Sequence, residues 1–198
     1  MSNYRGFEMN PSKKILVLGA GAVGKTYLVH SFIRNKVMPG DEYLMTIGVE
    51  HAVKIVRIGG IDVSLQIWDI AGQKRFEKLR AAFYEGAQGA IFMFDLAVRD
   101  SLDVLFPFPG KNNDEPNWYE ECFANVSKKE AWKEIPCILV GGKADLRSIP
   151  EYTNLVTPEE GTRAAKMFNM PYIEVSARIR QNVDEVFEKL AELILKEM

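Results

Sequence analysis

Residues Gly19-Ala20-Gly21-Ala22-Val23-Gly24-Lys25-Thr26 lie between a short apolar run, Ile15-Leu16-Val17-Leu18, and a stretch in which Leu28, Val29, Phe32 and Ile33 recur at helical spacing. Strand, glycine-rich turn and helix in immediate succession constrain this chain more than any other feature. A short apolar run bounded by turn residues suits a strand buried on both faces of a sheet. The turn has the form G-x-x-x-x-G-K-[ST], in which successive backbone N–H groups converge on phosphate oxygens and the following helix adds the positive end of its dipole. All eight residues are therefore candidate phosphate contacts. Lys25 would reach the terminal phosphates of a nucleotide, and the Thr26 hydroxyl would hold Mg²⁺. The alternative is a small-residue turn with Lys25 merely solvated. Gly19, Gly24, Lys25 and Thr26 occurring together between the right elements favour the chemical reading.

A chain of 198 residues is large enough for one substantial core and short for two domains. With 47% hydrophobic and 26% charged residues it reads as globular, and a formal net charge of −2 supplies no field for nucleic acid. Cys122 and Cys137 lack the spacing of a zinc site and do not make a disulfide framework, which points to a reduced, cytoplasmic protein with structural thiols. The polar start, Met1 to Arg5, offers no signal peptide, and no membrane-spanning run is present. The last residues, Leu193 to Met198, carry neither a cysteine nor a basic cluster, so no lipid anchor is expected at this end.

Residues 1–12 read as a flexible leader, followed by a domain over 13–198. The first strand is expected at 13–19 and the first helix up to Asn35. Residues 37–47 lose periodicity and contain Pro39-Gly40, a loop beside the phosphate turn and a candidate switch. Val49 to Ile58 and Ile61 to Trp68 are β-rich runs joined by Gly59-Gly60, so they should form an antiparallel hairpin at one sheet edge. Ala90 to Phe94, Ile135 to Val140 and Tyr172 to Val175 read as further buried strands. Helices are expected near 75–86, 118–133, 158–169 and 182–197. Thr157-Pro158-Glu159-Glu160 carries a cap, a proline at the first helical position and a capping-box Glu, and Asn182 to Glu185 repeats that logic. Val183, Val186, Phe187, Leu190 and Ile194 make one apolar stripe. Alternating strands and helices imply a mostly parallel sheet covered on both sides.

A phosphate turn alone suits kinases, ATPases and GTPases alike. Trp68-Asp69-Ile70-Ala71-Gly72-Gln73 closes a strand: Asp69 can reach Mg²⁺ through water, Gly72 lets its N–H approach a terminal phosphate, and Gln73 can orient a water for in-line attack. Gly142-Lys143-Ala144-Asp145 follows another buried strand. The Asp145 carboxylate can accept the two N–H donors of guanine, which adenine does not match, while Lys143 would lay its stem along the base. Ser176-Ala177-Arg178 offers a backbone N–H to the guanine carbonyl. Thr46 ends the candidate switch loop, and its hydroxyl could ligate Mg²⁺ when a γ-phosphate is present. Each cluster alone is compatible with an ordinary turn.

Together, Gly19–Thr26, Thr46, Asp69–Gln73, Lys143–Asp145 and Ser176–Arg178 resemble the five ordered nucleotide motifs of Ras-superfamily small GTPases over residues 13 to 197. Thr46-Ile47-Gly48-Val49-Glu50 and Trp68 to Phe76 are most similar to the Rab branch. The resemblance implies a three-layer P-loop NTPase fold, the Ras-like G domain, with a six-stranded, mostly parallel sheet and one antiparallel edge strand. It also implies GTP and GDP binding with Mg²⁺, slow hydrolysis, and switch segments near 37–48 and 70–82. Within it, Lys25, Thr46 and Gln73 are the catalytic set and Tyr43 joins the nucleotide contacts. Thr26, Thr46 and, through water, Asp69 serve the metal. Effector, GTPase-activating and exchange-factor proteins would be the partners of a monomer.

The chain departs from the family pattern in four places. Gly142 stands where the family's guanine motif begins with Asn, whose side chain contacts the base and ties its loop to the phosphate loop. Losing those bonds, each worth about 0.5–1.5 kcal/mol, weakens affinity more than specificity. The aromatic that covers the base before the first switch is replaced by Val37, Met38 or Pro39, which favours fast exchange. Residues 103–117 form an inserted loop in which Phe106 and Phe108 are expected to pack against the body. The family's prenylated tail is missing, so membrane association is expected only through partners. No arginine can be assigned as a finger in cis, while Gly21 is small where an incoming one must pass. His30 and His51 are given no catalytic part. The competing readings are a pseudo-GTPase, favoured by Gly142 and opposed by Gln73 and Thr46, and a P-loop kinase, which lacks an arginine lid.

Overall fold

The computed structural model describes residues 10–37, 46–73, 77–108, 117–127, 129 and 133–197. Six strands form one sheet: β1 (Ser12–Leu18), β2 (Val49–Ile58), β3 (Ile61–Ile70), β4 (Gly89–Asp95), β5 (Cys137–Gly142) and β6 (Tyr172–Val175). The helices are α1 (Lys25–Arg34), α2 (Glu77–Tyr84), α3 (Arg99–Asp103), α4 (Trp118–Asn125), α5 (Pro158–Met167) and α6 (Val183–Lys196). The strand order is β2-β3-β1-β4-β5-β6, and every neighbouring pair is parallel except β2 with β3. This is the expected α/β sheet with one antiparallel edge strand. Its hairpin turns at Gly59 and Gly60, whose φ angles of 57° and 88° suit a residue without a Cβ.

Strand alternation builds two cores from one sheet. Ile15, Val17, Ile67, Ile91, Met93, Ile138 and Val140 face α1 and α6, where Phe32 and Phe187 stack with ring centroids 3.9 Å apart. Leu16, Leu18, Phe92, Phe94 and Leu139 face the opposite way, against Tyr84 of α2, Leu102 of α3, Trp118 and Cys122 of α4 and Ala164 of α5. The α6 stripe is buried as its spacing predicts. Phe106 is fully buried and stacks on Phe168 at 4.3 Å, with Phe108 edge-on beside it, so the described start of the expected inserted loop is part of this core. Residues 109–116 lie outside the described residues, as do 1–9 of the expected leader.

Several boundaries differ from expectation for physical reasons. β1 begins at Ser12, whose register partner is Ser64, so the expected leader gives up its last residue to the sheet. β5 runs on through Gly141 and Gly142, because their backbones pair with Glu174 and Val175. The helix expected to reach 133 ends at Asn125, whose side-chain amide donates to the Glu121 carbonyl (2.7 Å) as a local competitor of helix continuation. The capping box at Thr157 is present with both reciprocal bonds, but Asn182 caps nothing. It adopts a left-handed conformation and donates its amide to the Glu174 carbonyl (2.8 Å). The short α3 carries too few residues for periodicity to reveal it.

Candidate functional site

The carboxyl ends of β1, β3, β4, β5 and β6 open on one rim, where an α/β sheet places its ligand crevice. The turn after β1 wraps that rim from Gly19 to Gly24. Gly19 has φ 141°, and a Cβ there would lie 2.1 Å from the Met93 carbonyl oxygen of β4, so no other residue fits. Gly24 at φ 105° turns the chain into α1. Lys25, the first residue of that helix, folds back and donates to the Gly19 and Ala20 carbonyls, each at 2.8 Å. Burial lowers its ammonium to about 8; the charge of Asp69 opposes that shift and Arg80 adds to it. A cation at the loop mouth, beside backbone amides and a helix N-terminus, is an arrangement that attracts polyanionic phosphate.

Asp69 Oδ2 accepts from the Thr26 hydroxyl (2.5 Å) and from the Thr46 hydroxyl (3.1 Å), and the two hydroxyls also touch one another. Three segments far apart in sequence thus meet at one oxygen cluster. Burial pushes the Asp69 carboxyl up, while the Thr26 bond, the Lys25 charge and the Thr46 bond pull it down. The other oxygen, Oδ1, is buried without a hydrogen-bond partner among the described residues. An all-oxygen set with a single carboxylate fits Mg²⁺ better than a softer ion, and Mg²⁺ is usually completed by water and phosphate rather than by a protein cage. Among the described residues no group of three or more His, Cys, Asp or Glu side chains competes for a metal.

Gly72 follows β3 against the phosphate loop: a Cβ on it would lie 2.4 Å from the Ala20 carbonyl carbon and 2.5 Å from the Gly19 carbonyl oxygen. Gln73 is next, its Cγ 3.8 Å from where a Gly21 side chain would begin. Its Oε1 is buried with no hydrogen-bond partner among the described residues, and its carbonyl accepts from Arg80 Nη1 at 3.4 Å. Gln73 and Gly21, expected to serve the water and an incoming arginine respectively, thus lie side by side. Tyr43 lies outside the described residues.

On the base side, Asp145 is the second residue of a 3₁₀ turn after β5 (Ala144–Ser148) and accepts from the Ser176 hydroxyl (2.6 Å), with Arg178 at 4.0 Å. Lys143, in a left-handed conformation, anchors its ammonium on Asp95 (2.5 Å). Asp95 was not singled out by sequence, although an acid closing a buried strand just as Asp69 does is a usable signal. The third motif, Ser176-Ala177-Arg178, follows β6. The Ser176 N–H is spent on the Gln181 carbonyl (3.1 Å) and its side chain fixes Asp145, so Ala177 and Arg178 are left to supply any N–H to a base. His30 pairs with Glu50 (2.9 Å), which stands opposite Asp69 in the β2–β3 register, and His51 packs on Trp68 (4.8 Å).

A glycine-rich turn, a helix-start lysine and an oxygen cluster at the switch point of a six-stranded sheet define a P-loop nucleotide-binding protein. The Ras family profile matches residues 14–196. The chain is 36% identical to Ras-related protein RABC2a of Arabidopsis thaliana over 98% of its own length and 82% of that protein's. It is 33% identical to Ras-related protein SEC4 of Saccharomyces cerevisiae, covering 98% and 80%, and 36% identical to human Ras-related protein Rab-4A, covering 93% and 75%. The chain belongs to the Ras family and sits with its Rab branch, which makes it a small GTPase and a GTP hydrolase.

Proposed function

We propose that this chain is a working molecular switch, binding GTP and GDP with Mg²⁺, hydrolysing GTP slowly, and signalling through segments near 37–48 and 70–82. The observation that carries this reading is the meeting of Thr46 with Thr26 and Asp69. A hydroxyl from the end of a long loop shares a carboxylate with the phosphate-loop threonine, so a ligand held there couples the loop to the phosphate state.

Backbone N–H groups of residues 20–26 and the Lys25 ammonium hold the phosphates, and the Gly72 N–H meets the terminal one. Bound Mg²⁺, held by Thr26 and Thr46 and supported through water by Asp69, would neutralise phosphate charge. Gln73 orients a water so that its oxygen bonds to the γ-phosphorus as the bond from phosphorus to the β–γ bridging oxygen breaks. Products are GDP and inorganic phosphate, and no covalent intermediate forms. On the base side Asp145, held by Ser176, accepts the guanine N–H donors, with Lys143 alongside and Ala177 or Arg178 meeting the carbonyl.

Intrinsic turnover is slow, because among the described residues no arginine serves as a finger; one supplied by a partner would raise it on the order of 10³–10⁵-fold. The protein would act in the cytoplasm as a monomer, working with effector, GTPase-activating and exchange-factor proteins and without nucleic acid. Among the described residues no helix is long and apolar enough to cross a membrane. Gly142 is the one feature favouring a nucleotide-binding module without turnover. Single-turnover hydrolysis of γ-labelled GTP decides between them: phosphate release by wild type above Gln73→Leu supports the switch, and equal release rejects it.

A further inference from the structure

Position 142 is the last residue of β5 and faces the phosphate loop. A Cβ on Gly142 would lie 2.5 Å from the Met93 Cε methyl, 3.0 Å from the Val23 carbonyl oxygen and 3.2 Å from the Phe94 carbonyl oxygen. Met93 stands on the same sheet face, two residues before the end of β4, and is 2% exposed. The same Cε methyl lies 3.4 Å from where a side chain on Gly24 would begin, and the Met93 carbonyl is what excludes a side chain from Gly19. One residue therefore lies against Gly19 and Gly24 of the phosphate turn and against the first residue of the base-side motif.

We propose that Met93 is a positioning residue for nucleotide binding: its thioether fills the gap between Gly24 and Gly142 and braces the phosphate loop against the base loop. A flexible, polarizable thioether suits an irregular space of this kind. A side chain at 142 and the Met93 methyl compete for one volume, so the two positions act as a unit. Gly142 is then the residue that Met93 requires. The consequence is that Gly142→Asn alone does not strengthen nucleotide binding, because the new side chain must displace the brace before it can reach the Val23 carbonyl. Shortening Met93 as well frees that volume. This inference rests on the proposed nucleotide function of the same site.

The test is a cycle of Met93→Val, Gly142→Asn and the double variant, with Met93→Leu as the conservative control. Fluorescent-GDP dissociation constants and the melting temperature of the nucleotide-free chain are read for each. The double variant should bind GDP about tenfold more tightly than Gly142→Asn alone, and Met93→Leu should stay within about threefold of wild type. Coupling in the GDP constant separates a positioning role from mere packing, which would couple only the melting temperatures. Gly142→Asn binding GDP as tightly as the double variant would overturn the proposal, as would additive effects on the GDP constant. A wild type that binds neither GDP nor GTP would instead reject the nucleotide function. In that case the pairing stands or falls on whether Met93→Val restores a melting temperature lowered by Gly142→Asn.

Discussion

Replacing Glu121 by Gln tests how α2 is fastened to the domain. Arg80 of α2 and Glu121 of α4 are both buried, with side chains 7% and 9% exposed. Arg80 Nε donates to Oε1 at 3.0 Å and Nη2 to Oε2 at 2.7 Å, while the Tyr84 hydroxyl donates to Oε1 at 3.0 Å. The guanidinium also lies 4.2 Å from the Trp118 ring. The amide of Gln keeps the shape, offers one acceptor instead of two and leaves the buried guanidinium uncompensated. Removing one partner of such a pair costs about 3–5 kcal/mol. For a chain of this length, at about 2–4 °C per kcal/mol, the melting temperature should fall by roughly 6–20 °C. Urea unfolding at constant m should report the same loss. Replacing both residues by apolar ones, Arg80→Met with Glu121→Leu, should recover most of it, since the charges are removed together. A loss below about 1 kcal/mol, or a double variant no more stable than the single one, would refute the claim that an uncompensated charge dominates.

Gly72→Ala should lower single-turnover GTP hydrolysis by at least about tenfold, because its Cβ meets loop backbone rather than a movable side chain; unchanged turnover would show that the contact relaxes. Asp145→Ala should weaken GDP by roughly 10- to 100-fold, as charge-assisted bonds are lost, and leave ATP binding unchanged; equal losses for both nucleotides would reject its role at the base. Burial raises the thiols of Cys122 and Cys137 above the ordinary 9.0, so a thiol-reactive disulfide should label neither in the folded chain at pH 8 and both in urea. The sign for stability follows: below 9.0 both states hold neutral thiols, and above it only the unfolded chain ionises, so these two groups make stability fall as pH rises past 9.0. Stability that increased over that range after correction for lysines would contradict the burial.

The local signals in this chain were sufficient wherever the physics is local. The hairpin at Gly59-Gly60 needs two positive φ angles, the α5 start needs Thr157, Pro158 and Glu160, and the α6 stripe needs a period near four, all written in consecutive residues. The phosphate turn is legible for the same reason, since its glycines, lysine and threonine lie within one turn of chain. Asn182 misled because its amide finds a carbonyl on β6, a partner that no window around residue 182 contains.

The amino-acid order by itself determined the sheet-and-helix alternation, the phosphate loop and the identity of the residues that gather around it. Tertiary structure alone decided that Thr26, Thr46 and Asp69 share one oxygen cluster, that Ser176 serves Asp145 through its side chain, and that Asp95 anchors Lys143. It also decided that Met93 occupies the space a side chain at 142 would need. Contacts of that kind depend on strand order, and strand order is fixed by packing both faces of the sheet at once, which no stretch of consecutive residues records.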